Sequence, residues 1–245
     1  MAHREANKNP AYKRVLIKLS GEALMGEKPY GISPELLSQV AAQIGRARAR
    51  GVEIGMVVGG GNIFRGVSGA AHGMERAVAD QMGMLATVMN ALALQDAFHR
   101  QDIPARVLSA IEVGRMAEPF IRGRALSHLN KKRIVIFAAG TGNPFFTTDT
   151  AATLRALEIG ADILFKATRV DGVYDKDPYK HKDAKLYQSL NCSEILEKEL
   201  RVMDAAAISL ARDSHLPIMV FNMLKGNNIE KAVDGEKIGT LIIPD

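Results

Sequence analysis

Short apolar runs alternate along this chain with longer stretches whose apolar residues recur every third or fourth position. The short runs lie at 14–19, Val52–Val58, Ala105–Leu108, Ile134–Phe137, Ile163–Phe165, Leu216–Phe221 and Gly239–Ile243. They are brief and mostly apolar, which predicts buried strands. The longer stretches predict helices. One starts at Ser33-Pro34-Glu35, a capping hydroxyl, a proline at the first helical position and an acid. Its Leu36, Leu37, Val40, Ala41, Ile44 and Ala47 share a face, and it stops at Gly51. A second helix is predicted from about Met74 to Arg100, carrying Met82, Leu85, Ala86, Met89, Leu92 and Ala93 at helical spacing. The methionines among them suit either a core or a subunit interface.

Further helical stretches are Glu112–Asn130, broken at Pro119, and Thr150 to about Gly160. Ser193–Leu200, Asp204–Ser214 and a short helix from Asn227 to Val233 complete the set. Strand-helix alternation of this kind predicts an α/β fold: three layers, α/β/α, around a central, mostly parallel sheet. No repeat or low-complexity linker interrupts it, so residues 13–245 read as a single domain behind a disordered N-terminal tail, residues 1–12.

Composition narrows the function classes. No uninterrupted apolar run approaches the ~18 residues of a membrane span, and the polar start of the chain is not a signal peptide. The one cysteine, Cys192, excludes an internal disulfide and fits a reducing cytoplasm. A formal charge of +5 suits a phosphorylated ligand. Nucleic acid is not indicated, because basic runs are absent beyond Lys131-Lys132-Arg133 and aromatics are only 5%. The six histidines show no metal-ligand spacing.

Candidate chemistry gathers where strands end. The first strand carries Lys18 and closes on Leu19-Ser20-Gly21. A lysine in an apolar strand either snorkels from a sheet edge or meets something anionic. The second strand ends in Gly59-Gly60-Gly61-Asn62, a tight turn or a cradle of main-chain N–H groups for phosphate, with Arg65 just beyond. The loop Thr141-Gly142-Asn143-Pro144-Phe145-Phe146-Thr147-Thr148-Asp149 joins a strand to a helix N-terminus, a place suited to an anion. Thr148 or Asp149 is the expected cap. The segment Ala167–Pro178 holds Thr168, Tyr174 and Asp177, and either clasps a base and ribose or is merely solvated. Neither Gly-x-Gly-x-x-Gly nor the P-loop pattern is present, which disfavours a nicotinamide dehydrogenase or a P-loop enzyme.

Taken together, residues 18–24, 59–66, 80–87, 140–150, Lys166-Ala167-Thr168 and Asp171-Gly172-Val173-Tyr174 resemble the amino acid kinase superfamily, and within it the bacterial uridylate kinases. The resemblance spans residues 13–243. It implies transfer of the ATP γ-phosphate to UMP, giving UDP and ADP in pyrimidine nucleotide synthesis, in the cytoplasm, with Mg²⁺ carried by ATP and no metal site from protein alone. It implies Lys18, Arg65, Asp149 and Lys166 as catalytic residues, the lysines ending neighbouring strands and Asp149 orienting both. ATP would contact Lys18, Leu19, Ser20, Gly21, Gly61, Arg65, Thr168, Tyr174 and Asp177. UMP would contact Gly60, Asp80, Thr141, Gly142, Asn143, Pro144, Phe145, Phe146, Thr147 and Thr148, with Asp80 on the ribose hydroxyls.

The resemblance also implies a homohexamer, UTP as inhibitor and GTP as activator. The GTP site would use Asp96, His99, Arg106 and Arg133, with the loop Gly26–Gly31 in the response. Gln95 stands where relatives commonly carry arginine, which lowers the charge offered to a triphosphate. The alternatives are a carboxylate kinase of the same superfamily and a uridine nucleotide sensor without turnover.

Overall fold

A computed structural model describes residues 10–26, 28–65 and 73–245. The strands are β1 (Arg14–Leu19), β2 (Glu53–Val58), β3 (Ala105–Ser109), β4 (Glu118–Pro119), β5 (Ile134–Ala138), β6 (Ile163–Thr168), β7 (Ser189–Asn191), β8 (Ile218–Asn222) and β9 (Thr240–Ile243). The helices are α1 (Pro34–Ala49), α2 (Arg76–His99), α3 (Arg122–Asn130), α4 (Thr148–Ile159), α5 (Cys192–Glu197), α6 (Ala205–Asp213) and α7 (Asn228–Val233).

All nine strands form one sheet in the order β4-β3-β5-β2-β1-β6-β8-β9-β7. Among the described strands, only the β8–β9 pair is antiparallel. β1 lies centrally, paired with β2 on one side and β6 on the other. Lys18 therefore does not snorkel from an edge; it sits inside the sheet and must be neutralised there. The crossovers turn one way for β2 and the other for β6, so the sheet reverses around β1, where ligands of such folds gather.

The two faces carry separate cores, which makes the three-layer expectation concrete. One face packs Leu37, Val40 and Ile44 of α1, Met84, Leu94 and Phe98 of α2, and Val233 of α7. The other packs Leu129 of α3, Ala156 and Ile159 of α4, Ile195 of α5 and Ile208 of α6. Side chains alternate along a strand. In β1, Val15, Ile17 and Leu19 join the first core and Leu16 the second. In β6, Phe165 and Ala167 join the first and Leu164 the second. That alternation sends Lys18 and Lys166 to the second face, the one covered by α4.

Three elements differ from the sequence reading. Residues 112–121 are not helical: Glu118-Pro119 form the short edge strand β4, and α3 begins only at Arg122. Proline lacks an N–H and sits where no further strand needs one. The strand β7 was not expected, because three residues show no readable period. Tyr12 does not belong to a loose tail. It meets Phe165 edge-on with centroids 5.7 Å apart, and the Ala11 amide donates to the Val233 carbonyl at 3.0 Å. Residues 1–9 of the expected tail, Glu27 and Gly66 lie outside the described residues. Length and composition would let α2 cross a bilayer, but its inner face is part of the first core.

Candidate active site

At the centre of the sheet, the register sets Lys18 directly beside Lys166. Two ammonium groups on one face of adjacent strands repel, so an anion has to separate them. The N-terminus of α4 supplies it. Lys18 Nζ lies 2.7 Å from Asp149 Oδ1, and Lys166 Nζ lies 2.7 Å from Asp149 Oδ2. All three side chains are largely buried. Burial alone would raise the Asp149 pKa, but the two lysines hold it below the usual carboxylate range. Burial lowers the Lys166 pKa, Asp149 opposes that shift, and Lys18 adds to it. The result is a net cationic pair, locked in place and already desolvated.

The cap of α4 is Thr147, not Thr148 or Asp149: its hydroxyl accepts from the amides of Asp149 at 3.0 Å and Thr150 at 3.4 Å. Thr147 in turn donates to Asp204, and the Thr150 hydroxyl donates to Asp204 at 2.7 Å. Asp204 is itself the cap of α6. It ties the two helix starts together and lends Lys166 a further negative neighbour. Sequence reasoning missed it, although an aspartate ahead of a helical run was visible.

Two turns close over this centre. The Gly59 amide donates to the Leu19 carbonyl at 2.9 Å, which brings Ser20-Gly21 against Gly59–Gly61. A Cβ on Gly21 would stand 2.8 Å from the Gly61 nitrogen, so only glycine permits that approach. The Leu19 side chain is wholly buried, leaving only its backbone to face a ligand. Arg65 reaches back to the Gly61 carbonyl at 3.4 Å and pairs with Glu22, which also approaches Arg169 at 3.5 Å. Glu22 is thus a second residue of the site's rim that the sequence did not single out.

Two cavities open beside these elements. The larger, about 670 Å³, is lined by Lys166, Thr168, Tyr174 and Asp177 together with Lys198 and Arg201. The expected Thr168, Tyr174 and Asp177 therefore line one cavity together with Lys166. The smaller, about 120 Å³, is lined by Gly60, Asp80, Thr141, Asn143, Phe146 and Thr148, with Phe64, Gly83, Met84, Thr87 and Gly140 added. Gly142, Pro144, Phe145 and Thr147 do not line it. Gly142 is pressed on Ala110, and Phe145 is 68% exposed with its amide donating to Asp80 at 2.8 Å. Asp80 also accepts from Arg76 at 2.8 Å. The added residues of α2, Gly83, Met84 and Thr87, fall three, four and seven residues after Asp80, a helical face legible only once Asp80 is known to point inward.

The expected effector residues are only partly gathered. His99 and Arg106 both meet the Ala105 carbonyl, at 3.2 and 2.8 Å, and Gln95 donates to it at 3.2 Å. Asp96 pairs with Arg100 on the surface, and Arg133 approaches the His128 ring. A cavity of about 370 Å³ beside them is lined by Gln95, Arg106, Arg115 and Glu118, but not by Asp96, His99 or Arg133. Among the described residues no group of three His, Cys, Asp or Glu side chains is placed to hold a metal ion, and both Asp149 oxygens are taken by lysines.

A cationic pair with one cavity reaching Lys166 and another reaching Thr148 at the start of α4 can hold two phosphorylated ligands and stabilise charge passing between them. The chain matches the amino acid kinase family over residues 13–222. The solved UMP kinase from Bacillus anthracis is 41% identical, covers 96% of this chain and 97% of its own, and superposes with a TM-score of 0.91. The UMP kinase from Ureaplasma parvum is 34% identical over 94% of this chain and 98% of its own, with a TM-score of 0.88. The uridylate kinase from Archaeoglobus fulgidus is 29% identical over 93% of this chain and 99% of its own, with a TM-score of 0.70. The chain belongs to the amino acid kinase family and, within it, to the UMP kinases.

Proposed function

We infer that this enzyme transfers the γ-phosphate of ATP to UMP, forming UDP and ADP. The observation that carries the reading is the Lys18–Asp149–Lys166 bridge, with one cavity reaching Lys166 and another reaching Thr148, the neighbour of Asp149. UMP already presents an anionic phosphate oxygen, so no strong general base is needed; the task is alignment and charge neutralisation. Lys18 and Lys166 meet the transferring phosphoryl group from adjacent strands, with Asp149 holding both. Amides of Ser20-Gly21 and Gly60-Gly61 offer N–H groups to the phosphates, and Arg65 adds charge from the rim. The adenosine side occupies the cavity of Thr168, Tyr174 and Asp177. UMP occupies the cavity of Gly60, Asp80 and Thr141–Thr148, with Asp80 on the ribose. Mg²⁺ carried by ATP would supply further charge neutralisation at the phosphates, beside Lys18, Lys166 and Arg65.

The same reading extends to a cytoplasmic setting in pyrimidine nucleotide synthesis and to a homohexamer. Val78, Met82, Leu85 and Met89 form an exposed apolar stripe on α2, a surface suited to a second copy. UTP inhibits by competing in the UMP cavity. GTP activates near Arg106, with weakened attraction because Gln95 brings no charge.

The test is ATP-dependent turnover of UMP beside CMP and N-acetylglutamate, with Lys18→Ala as control. UDP from UMP alone, lost in the variant, is the expected result. Saturable UMP binding without turnover would replace the enzyme with a sensor. Turnover of N-acetylglutamate would keep the chemistry and change the acceptor.

A further inference from the structure

Behind the glycine turn lie two asparagines to which the reaction assigns no part. Asn90, on α2, is 0% exposed, and Asn62, just after Gly61, is 2% exposed. Buried amides are costly unless every polar atom is met. Here they meet each other. Asn62 Nδ2 donates to Asn90 Oδ1 at 3.0 Å, and Asn90 Nδ2 donates to Asn62 Oδ1 at 2.7 Å. The remaining donor of each reaches a different backbone. Asn90 Nδ2 donates to the Gly59 carbonyl at 2.7 Å, and Asn62 Nδ2 donates to the Gly31 carbonyl at 2.9 Å. The Gly31 amide answers by donating to the Asn62 carbonyl at 2.8 Å.

Four segments thus index on one hydrogen-bonded amide pair. The end of β2 is held through Gly59 and the loop before α1 through Gly31. α2 contributes Asn90. The turn after β1 is pressed against the pair, since a Cβ on Gly21 would lie 2.5 Å from Asn62 Oδ1. The residues between these anchors, Gly60 and Gly61, are the ones whose N–H groups face the phosphates in the reading above. Glycine turns have no side chains with which to fix themselves, so their geometry must be imposed from outside. Gly60 is fitted so tightly to α2 that a Cβ would stand 2.8 Å from the Gly83 carbonyl. Thr87, one turn before Asn90, performs a related task by accepting from the Ala139 amide at 2.7 Å at the start of the acceptor loop.

We propose that the Asn62–Asn90 amide pair is a positioning unit for phosphoryl transfer. It sets the Gly59–Gly61 turn against Ser20-Gly21 so that the amides of both turns converge on the transferring group. The inference rests on the phosphoryl-transfer reading. It goes beyond that reading by giving a role in turnover to residues that touch neither nucleotide.

The experiment measures kcat and KM for ATP and UMP in the full-length enzyme, with thermal midpoints, for Asn90→Ala, Asn62→Ala and the double variant. Assays run well below each variant's midpoint. A displaced turn misaligns the reacting groups, so kcat falls about tenfold or more while both KM values change less than about threefold. Because the two amides act as one, the double variant is no slower than the slower single. A lowered midpoint with kcat within about twofold of the parent would make the pair merely structural and overturn the proposal. So would independent, multiplying losses. If Asn90→Ala does not fold, Asn62→Ala, which leaves the Asn90–Gly59 bond possible, decides by the same kcat criterion. If the parent itself does not phosphorylate UMP, the reading of the site falls first and this inference with it.

Discussion

The charge centre and the proposed acceptor loop meet at the start of α4, where Asp149 follows directly on Thr148, yet they are built in opposite ways. Lys18, Asp149 and Lys166 are buried, mutually paired and mounted on two central strands and a helix start. Four residues before Asp149, Phe145 is 68% exposed, and Phe146 is 54% exposed. The loop is anchored by the Phe145 amide on Asp80, the Thr147 hydroxyl on Asp204, the Ala139 amide on Thr87 and the Gly140 carbonyl, which accepts from Arg155 at 3.3 Å. On the proposed reading, the difference separates two jobs. Charge stabilisation gains from groups fixed before substrate arrives. Recognition of a nucleoside gains from apolar surface that is covered only on binding.

The sharpest way to break this comparison is Asp149→Asn. It keeps the shape but leaves the two lysines without their shared carboxylate. Expected is a fall in kcat of about 10²- to 10³-fold, with the KM for UMP changed little, measured by coupled ADP release. If the KM rose while kcat held, the centre would be a binding device and the division of labour would be wrong. Asp80→Ala tests the other side. It removes the acceptor for the Phe145 amide and the partner of Arg76. Expected is a rise of about tenfold in the KM for UMP, with kcat and the KM for ATP within about threefold.

These two sides also differ in how far the sequence disclosed them. The strands around β1, the helices α1 and α4, and the strand-end glycines carry period and punctuation, so the layered fold and the lysine strands were readable. The resemblance named Asp149 and Lys166 as partners; spacing alone did not. What stayed hidden depends on contacts across the fold. Asp204 lies 55 residues beyond Asp149 in sequence yet caps α6 within reach of Thr147 and Thr150. Glu22 reads as an ordinary loop acid until Arg65 is seen to fold back on it. The edge strands β4 and β7 span only two and three residues, and a span that short has no periodicity to detect.

A smaller effect is expected from Gly60→Ala. Its Cβ would stand 2.8 Å from the Gly83 carbonyl and 2.9 Å from the Ala86 Cβ, neither of which is a flexible chain end. Expected is a loss of about 1–3 kcal/mol of stability on chemical unfolding, with weaker UMP binding. An unchanged midpoint would show that the turn is not seated on α2 as tightly as the charge centre is seated in the sheet.

The last contrast is carried by pH. Asp149 has its folded pKa depressed, so its charged state stabilises the fold above its unfolded pKa near ~4, and that contribution is lost as pH falls through the folded value. Glu53, where burial is outweighed by Arg14 and Lys132, behaves the same way. The parent should therefore lose stability as the pH drops below ~4. Lys166 has the opposite linkage. Its pKa is lowered in the fold, so keeping it charged costs stability at neutral pH, and stability rises as pH climbs through its folded value. In Asp149→Asn the acid-side loss should shrink, because one depressed carboxylate is gone. The alkaline-side gain should grow, because Lys166 loses the neighbour that held its proton. Urea midpoints from pH 3 to 10 would show both. If parent and variant gave parallel curves, the carboxylate would not be carrying the two lysines. The charge centre would then be no more preorganised than the acceptor loop beside it.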